Sequence, residues 1–196
     1  MQYLKEEVRG KILLAAREEF KTHGYSNASI RNIAEMSQTS LGNIYRYFTD
    51  KEAVFLAVVG DLFQASVDMV ERYFDLDMES LSKYPDILIT FNEQYAEQLT
   101  ILKSGLRKHY FQYIQALVKV YARKLEEHLK QNSPLVADKI KSAEFYEDIA
   151  HAFMHGLYHA QGKEVAYEQK KQNIRELLWF FFAGVDKRFA YFPDQA

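Results

Sequence analysis

Apolar residues recur every three or four positions along almost the whole of this 196-residue chain. Leu4, Val8, Ile12, Ala16 and Phe20 open the pattern, and that spacing places them on one face of a helix. Only eight glycines and three prolines are present to end helices, and we find no strand-like alternation of apolar and polar residues. The sequence therefore predicts an all-α fold of about nine helices, with short helices leading.

Composition and charge narrow the class of protein. Apolar residues make up 48% of the chain and charged residues 27%, which is the balance of a soluble globular protein. The absence of cysteine fits a reducing cytosol, and no apolar run or leader pattern indicates a membrane helix or export, so we expect a cytoplasmic protein with no membrane partner. Residues 1–51 carry eight basic against six acidic side chains, and the remainder seventeen against twenty-one. This mild asymmetry permits a nucleic-acid-binding head on an acidic body but does not demand one.

Two short helical segments near the N-terminus are separated by a polar turn. Ser29 is placed to cap the first segment by accepting a backbone N–H, and the turn SQTS at 37–40 ends it. The segment LGNIYRYF follows, and Thr49 or Asp50 then caps a long fourth helix that reaches about Phe74. This order is the layout of a helix-turn-helix, whose second helix enters the major groove of DNA.

The second short segment holds three aromatic residues in four positions, Tyr45, Tyr47 and Phe48. Helical spacing turns Ile44 and Phe48 inward, where we expect them to close a small core with Ile12, Phe20, Ile33 and Ala34. The two tyrosines lie elsewhere on the circumference, from which a hydroxyl can donate to a phosphate oxygen. Half-buried core positions are the alternative interpretation of both rings.

The run from Val8 to Val58 resembles the DNA-binding head of the tetracycline-repressor (TetR) family. The resemblance lies in ILLAAREEFKTHGYSNASIRNIAEMSQTSLGNIYRYFTDKEAVFLAV, with Tyr25 after the helix-ending glycine and Lys51 three residues beyond the Y-x-Y-F. It implies a helix-turn-helix domain at 1–51 and a helical ligand-binding and dimerisation domain at 52–196. Two positions depart from the family pattern. Gln38 lies in a turn that usually contains glycine, and Leu41 stands where lysine is frequent.

The resemblance also implies a set of DNA-contacting residues. Lys51 and the tyrosines would hold phosphates, Gly42 would let the backbone approach the groove, Leu41 would lie against a thymine methyl and Asn43 would pair with adenine. We refer to the DNA-contacting set as Ser29, Arg31, Ser40, Leu41, Gly42, Asn43, Tyr45, Arg46, Tyr47 and Lys51.

In this family the C-terminal domain binds a small molecule and dimerises through its last two long helices, here about 143–161 and 168–191. The aromatic run from Trp179 to Phe182 covers more than one face of the last helix, which fits a dimeric four-helix bundle, with an internal core helix as the alternative. The effector is expected to be apolar or aromatic. Candidate pocket residues, which are as readily core residues, are Phe63, Phe91, Tyr95, His109, Phe111, Tyr113, Phe153 and Tyr158.

Histidines at 151, 155 and 159 follow Glu147 at four-residue spacing along one helix. Such a stripe is a polar interface, a metal site or a pH-sensing cluster. We predict a non-enzymatic, ligand-responsive regulator without a cofactor, which is a homodimeric repressor released from a palindromic operator in double-stranded DNA by its effector. The alternative is a helical metal-binding protein or metalloenzyme that uses His151, His155 and His159.

Overall fold

The computed structural model describes residues 2–75, 77–140, 142, 144–161, 164–184 and 187. Within those residues it contains helices only, which confirms the all-α prediction, with ten helices where about nine were expected. The helices are α1 (Gln2–Asn27), α2 (Ile30–Met36), α3 (Leu41–Tyr47), α4 (Lys51–Tyr73), α5 (Met78–Gln94), α6 (Ala96–Ser104), α7 (Arg107–Asn132), α8 (Pro134–Ala137), α9 (Glu144–Gln161) and α10 (Tyr167–Phe182).

The chain divides into two compact units. The head unit comprises Met1–Ala65 and Gln94–Tyr113, and the body unit comprises Ser66–Glu93 and Ile114–Ala196. Helices α4 and α7 therefore contribute residues to both units. The unit that holds the short helices extends beyond residue 51, and the functional boundary at that residue stays a prediction.

The core of the head unit is the one expected from the sequence. Ile12, Phe20, Ile33 and Ile44 are fully buried, and Phe48 and Ala34 are nearly so. An aromatic cluster extends this core, because the ring of Phe20 meets those of Tyr25 at 6.0 Å and Phe55 at 5.6 Å. A methyl group at Gly105 would clash with the Phe55 ring, so glycine is needed where α6 ends.

Helix α1 contains the predicted break at Gly24. This glycine has φ +67° and ψ 168°, a left-handed backbone that glycine adopts without strain. The chain makes a last helical turn to Asn27 after the break. Asp50 is the cap of α4, since its carboxylate accepts the N–H of Ala53 at 2.7 Å.

Proline is favoured in the first turn of a helix, so the sequence predicts that a helix begins at Pro85, and the structure differs. The helix begins seven residues earlier, at Met78, and Pro85 is inside it. Asp77 explains the early start, because its carboxylate accepts the N–H groups of Glu79 at 2.9 Å and Ser80 at 3.0 Å. The cost of an interior proline is offset by packing, since Tyr84 and Pro85 are both buried. The sequence also predicts that this helix continues to Leu99, but α5 ends at Gln94 and α6 starts anew at Ala96.

An aromatic cluster forms the core of the body unit. The ring of Phe74 lies 5.1 Å from Tyr84, 4.7 Å from Tyr121 and 5.2 Å from Phe182. Phe153 of α9 joins it at 4.7 Å from Phe182 of α10. The hydroxyl groups of Tyr84 and Tyr121 are hydrogen-bonded to each other, which satisfies both polar atoms inside the apolar cluster.

Helices α9 and α10 pack against each other. A methyl group at Gly156 of α9 would lie 2.8 Å from Leu177 of α10, so the small residue permits this close approach. The last helix ends at Phe182, earlier than the predicted residue 191, because Ala183 is an extended C-cap residue with φ −68° and ψ 121° and Gly184 has φ +63°. Most of the remaining predicted range lies outside the described residues.

Helix α4 is long and apolar enough to span a membrane by length and composition. Part of its apolar surface belongs to the protein core, where Val54, Phe55, Val59 and Leu62 are buried. A core helix passes the same test of length and hydropathy.

Candidate nucleic-acid interface

The turn between α2 and α3 is held by local hydrogen bonds. The Ser37 hydroxyl donates to the carbonyl of Ile33 at 2.6 Å, and the Thr39 N–H donates to that of Ala34 at 2.9 Å. Gln38 adopts φ +54°, the left-handed conformation in which glycine is usual. A side chain in this region costs about 1 kcal/mol, so Gln38 permits the tight turn at a modest cost.

The start of α2 is held differently from the prediction. Ser29 is the N-cap residue, but its side chain makes no capping hydrogen bond. The backbone N–H of Ser29 instead donates to the Glu19 carboxylate at 2.8 Å, and the Asn32 amide donates to the same oxygen at 3.2 Å. Glu19 is 2% exposed and comes from α1. Sequence patterns near α2 did not indicate this partner, because it lies ten residues upstream.

The start of α3 is capped by Ser40, whose hydroxyl accepts the N–H of Asn43 at 3.1 Å. The side-chain amide of Asn43 donates to the Thr39 hydroxyl at 2.7 Å. Asn43 is therefore half-buried and supports the turn in the DNA-free protein. Its base-reading role stays a prediction, which requires the amide to exchange this partner for a base.

The DNA-contacting set lies on the outer side of these two helices and the residues that follow them. Arg31, Ser40, Gly42, Tyr45 and Arg46 are exposed. The remaining members are half-buried, namely Ser29, Leu41, Asn43, Tyr47 and Lys51. Half of the Tyr45 side chain is exposed while Ile44 and Phe48 are in the core. The exposed members carry hydroxyl and guanidinium groups, which suit contact with phosphates and base edges.

Lys51 makes contacts that the sequence did not predict. Its ammonium donates to the carbonyl groups of Tyr25 at 2.7 Å, Ala28 at 3.0 Å and Ser26 at 3.2 Å. The same ammonium lies 4.8 Å from the centre of the Tyr25 ring. Three N–H donors thus meet three carbonyl oxygens, so Lys51 ties the start of α4 to the end of α1. Lys51 therefore has a structural role in addition to its predicted contact with phosphate.

Glu52 anchors the first turn of α4 to α7. Its carboxylate oxygen Oε1 lies 2.6 Å from the Lys108 ammonium and 3.0 Å from His109 Nε2. The hydrogen bond from Lys108, reinforced by that from His109, lowers the pKa of Glu52. His109 is buried, and its other ring nitrogen lies 3.1 Å from Gln112 Oε1. Both ring nitrogens of His109, a candidate pocket residue, are therefore paired within the head unit.

The other candidate pocket residues are distributed over both units. The head unit contains Phe63 and Tyr113, whose rings meet at 5.2 Å, together with Tyr95 and the exposed Phe111. The body unit contains the other three, of which Phe153 is fully buried in the aromatic cluster, Tyr158 is half exposed and Phe91 is intermediate. The pocket they were predicted to line stays a prediction.

The histidine stripe gives the metal-binding alternative no support. His151 Nε2 pairs with the Gln115 amide at 3.3 Å, whereas His155 and His159 pair with each other at 3.2 Å. Among the residues that the structure describes, no three histidine, aspartate or glutamate side chains converge on a metal position.

An open aromatic groove of about 510 Å³ runs along α10 and is lined by Gln172, Arg175, Glu176, Trp179 and Phe180. Trp179 is 61% exposed and Phe180 68% exposed, whereas Phe182 is buried. The aromatic run thus occupies two sides of the helix, as its sequence predicted. Large exposed aromatic side chains are typical of surfaces that associate with a partner.

Known proteins match part of this chain in sequence. Residues 12–58 match the family described as "Bacterial regulatory proteins, tetR family". The HTH-type transcriptional repressor AcnR of Corynebacterium efficiens is 44% identical over 50 residues, 26% of this chain and 27% of that protein. The HTH-type transcriptional regulator YvdT of Bacillus subtilis is 33% identical over 100 residues, 49% of this chain and 51% of that protein. The chain therefore matches between about a quarter and a half of the length of these relatives.

Solved structures resemble nearly the whole chain. Salmonella enterica GusR superimposes with a TM-score of 0.67 at 16% identity, covering 89% of this chain and 95% of its own. A TetR-like transcriptional regulator from Rhodococcus sp. RHA1 superimposes with a TM-score of 0.63 at 18% identity, covering 90% of this chain and 96% of its own. At these identities the likeness concerns the fold, which extends beyond the matched head into the helical body.

Proposed function

We propose that this chain, whose residues 12–58 match the family described as "Bacterial regulatory proteins, tetR family", is a ligand-responsive transcriptional repressor. The observation that carries the proposal is the helix-turn-helix of α2 and α3, whose apolar residues are buried while Arg31, Ser40, Tyr45 and Arg46 are exposed. A surface built this way binds double-stranded DNA rather than performing catalysis. The repressor acts in the cytoplasm, a compartment that suits a chain without cysteine.

The two parts of the chain have different proposed roles. Residues 1–51 bind DNA, and residues 52–196 bind the effector and dimerise. Within the head, α3 lies in the major groove with Ser40, Leu41, Gly42 and Asn43 at the base edges. Arg31 contacts a base edge or a phosphate, and the rest of the DNA-contacting set holds the phosphate backbone and so fixes the register of the helix.

A two-fold dimer is proposed on α9 and α10. The exposed aromatic side chains of Trp179 and Phe180 support it, because they give α10 an apolar outer side in addition to the side that carries Phe182 into the core. Two copies of α3 related by that axis read an inverted repeat, so the operator is a palindrome.

The proposed effector is an apolar or aromatic small molecule bound by the body. Its support is the composition of the body core, in which rings of Phe74, Tyr121, Phe153 and Phe182 meet one another. Such a ligand releases the operator only if it binds one arrangement of the dimer more tightly than the other. Helices α4 and α7, which contribute to both units, are the elements through which this preference reaches the head.

Electrophoresis of duplex DNA tests the proposal. The protein should retard a duplex containing its inverted repeat, with an affinity that falls steeply as salt rises, because phosphate contacts release counterions. A protein that retards no duplex at about 0.05 M salt is not a DNA-binding regulator.

Replacing Lys51 by methionine separates its two roles. The variant should lose about 1–3 kcal/mol of unfolding free energy in urea titrations, because three carbonyl groups lose a charged donor. If Lys51 also meets phosphate, affinity for all duplexes should fall alike and the salt slope should decrease by about one. A loss of stability with an unchanged salt slope would assign Lys51 to the helix end alone.

A further inference from the structure

Arg9 of α1 contacts the end of α3, the proposed recognition helix. Its guanidinium carbon lies 5.7 Å from the centre of the Phe48 ring, and Phe48 is the C-cap residue of α3. The Phe48 ring in turn lies 6.5 Å from that of Tyr47, a member of the DNA-contacting set. Because Arg9 is half-buried against an aromatic ring, its charged group has a defined place beside the last turn of α3.

The guanidinium of Arg9 keeps its hydrogen-bond donors available. The N–H groups of a guanidinium lie in its plane, and contact with an aromatic ring does not use them. Within the described part of the chain, Arg9 forms neither an ion pair nor a hydrogen bond through its side chain. The carboxylate of Glu7, on the same helix, is bound to the Lys11 ammonium at 2.8 Å. That of Asp50, which follows α3, accepts the N–H of Ala53.

We infer that Arg9 is a contact for a DNA backbone phosphate, held in place by Phe48. The inference rests on the proposed DNA-binding function, in which Tyr45 and Tyr47 of the same end of α3 hold phosphates. It adds a residue of α1 that belongs to neither the helix-turn-helix nor the DNA-contacting set. A guanidinium suits this role because its paired N–H donors match two oxygens of one phosphate.

A purely structural role for Arg9 makes a different prediction. A cation at the C-terminal end of a helix interacts favourably with the helix dipole, and the stem of arginine packs on apolar surface. In that role Arg9 would stabilise α3 without adding a phosphate contact. Its loss would then lower stability and leave the salt dependence of DNA binding unchanged.

Two substitutions of Arg9 separate these roles. Arg9→Met removes the charge and retains an apolar side chain against the Phe48 ring, whereas Arg9→Lys retains the charge. Lys11→Met is the matched control, because it removes one positive charge from an exposed position on the same helix. Two residues along a helix correspond to a rotation of about 200°, so Lys11 lies on the opposite side of α1 from Arg9.

DNA affinity is measured by fluorescence anisotropy on a labelled duplex of arbitrary sequence at several salt concentrations, since phosphate contacts do not depend on sequence. Arg9→Met should decrease the salt slope by about one, and its affinity at about 0.1 M salt should fall roughly three- to tenfold. Arg9→Lys should keep the parent's salt slope, because lysine binds phosphate as a point charge. Lys11→Met should keep both the slope and the affinity of the parent.

The outcomes separate the two proposals. If the parent binds duplex DNA with a steep salt dependence and Arg9→Met keeps the parent's slope, the inference is overturned and the repressor proposal stands. This holds even if Arg9→Met binds more weakly and unfolds at lower urea, since Arg9 is then a packing residue of α3. An equal loss of slope in Lys11→Met would also overturn the inference, because the effect would belong to the charge of α1 as a whole. If the parent binds no duplex at any salt concentration, both proposals are overturned.

Discussion

Replacing Trp179 by glutamate should convert the proposed dimer into a 23.0 kDa monomer in sedimentation at micromolar concentration. The tryptophan is 61% exposed beside Phe180, so a charged side chain can be introduced there without disturbing the core of the body unit. In a dimer the same position would be desolvated, and loss of a buried aromatic anchor weakens association by about 2–4 kcal/mol, or some 30- to 1000-fold. Affinity for an inverted repeat should fall in parallel, because each head then binds one half-site alone.

The control for this substitution is Leu135→Glu. Leu135 is 80% exposed on α8 of the body unit, outside the proposed dimer surface, so its replacement should leave the dimer intact. A Trp179→Glu protein that sediments as a dimer would contradict the assignment of the interface to the outer side of α10.

Replacing Gly42 by alanine should weaken DNA binding while it stabilises the free protein. Gly42 is exposed within α3, and a Cβ atom built there meets nothing within 4 Å. Alanine should therefore raise the unfolding free energy by about 0.5–1 kcal/mol, the usual gain within a helix. In the complex the same methyl would keep the backbone of α3 from the groove. We expect affinity to fall by roughly ten- to a hundredfold, about 1.4–2.8 kcal/mol.

Gly60→Ala provides the matched comparison. Gly60 is an exposed glycine within α4 that is also open to a Cβ atom, so its replacement should give the same gain in stability with unchanged DNA affinity. A Gly42→Ala protein that binds DNA as tightly as the parent would remove the proposed close approach of α3.

Much of the head could be predicted from local sequence because its structure is determined locally. The spacing of Ile12 and Phe20, the break at Gly24 and the turn at 37–40 all depend on residues close in sequence. The inward turn of Ile44 and Phe48 followed from helical periodicity alone.

Contacts between distant residues could not be predicted in the same way. The side-chain cap assigned to Ser29 was wrong, since its hydroxyl accepts no N–H from the first turn of α2. The Glu19 carboxylate instead accepts the backbone N–H of Ser29, and this partner becomes visible only when α1 and α2 are packed. Lys51 likewise finds its carbonyl partners more than twenty residues away. The start of α5 at Asp77 was missed for a different reason, since Pro85 is a strong local signal that packing overrides.

The body was less predictable because aromatic residues at helical spacing suit either a core or a pocket. Phe153 proved to be fully buried, whereas Tyr158 on the same helix and Phe111 on α7 are exposed. Side-chain chemistry does not distinguish these environments. They depend on which helices pack together, and this is determined by the tertiary structure.

Selection of bound sequences from random duplexes tests directly whether α3 reads DNA as part of a two-fold dimer. Successive rounds with the unmodified protein should enrich an inverted repeat. Its half-sites should be centred about one helical turn apart, or a multiple of it, because symmetry relates the two recognition helices. Enrichment of a single unrepeated site would contradict the two-fold arrangement, and no enrichment at all would contradict the regulatory function itself.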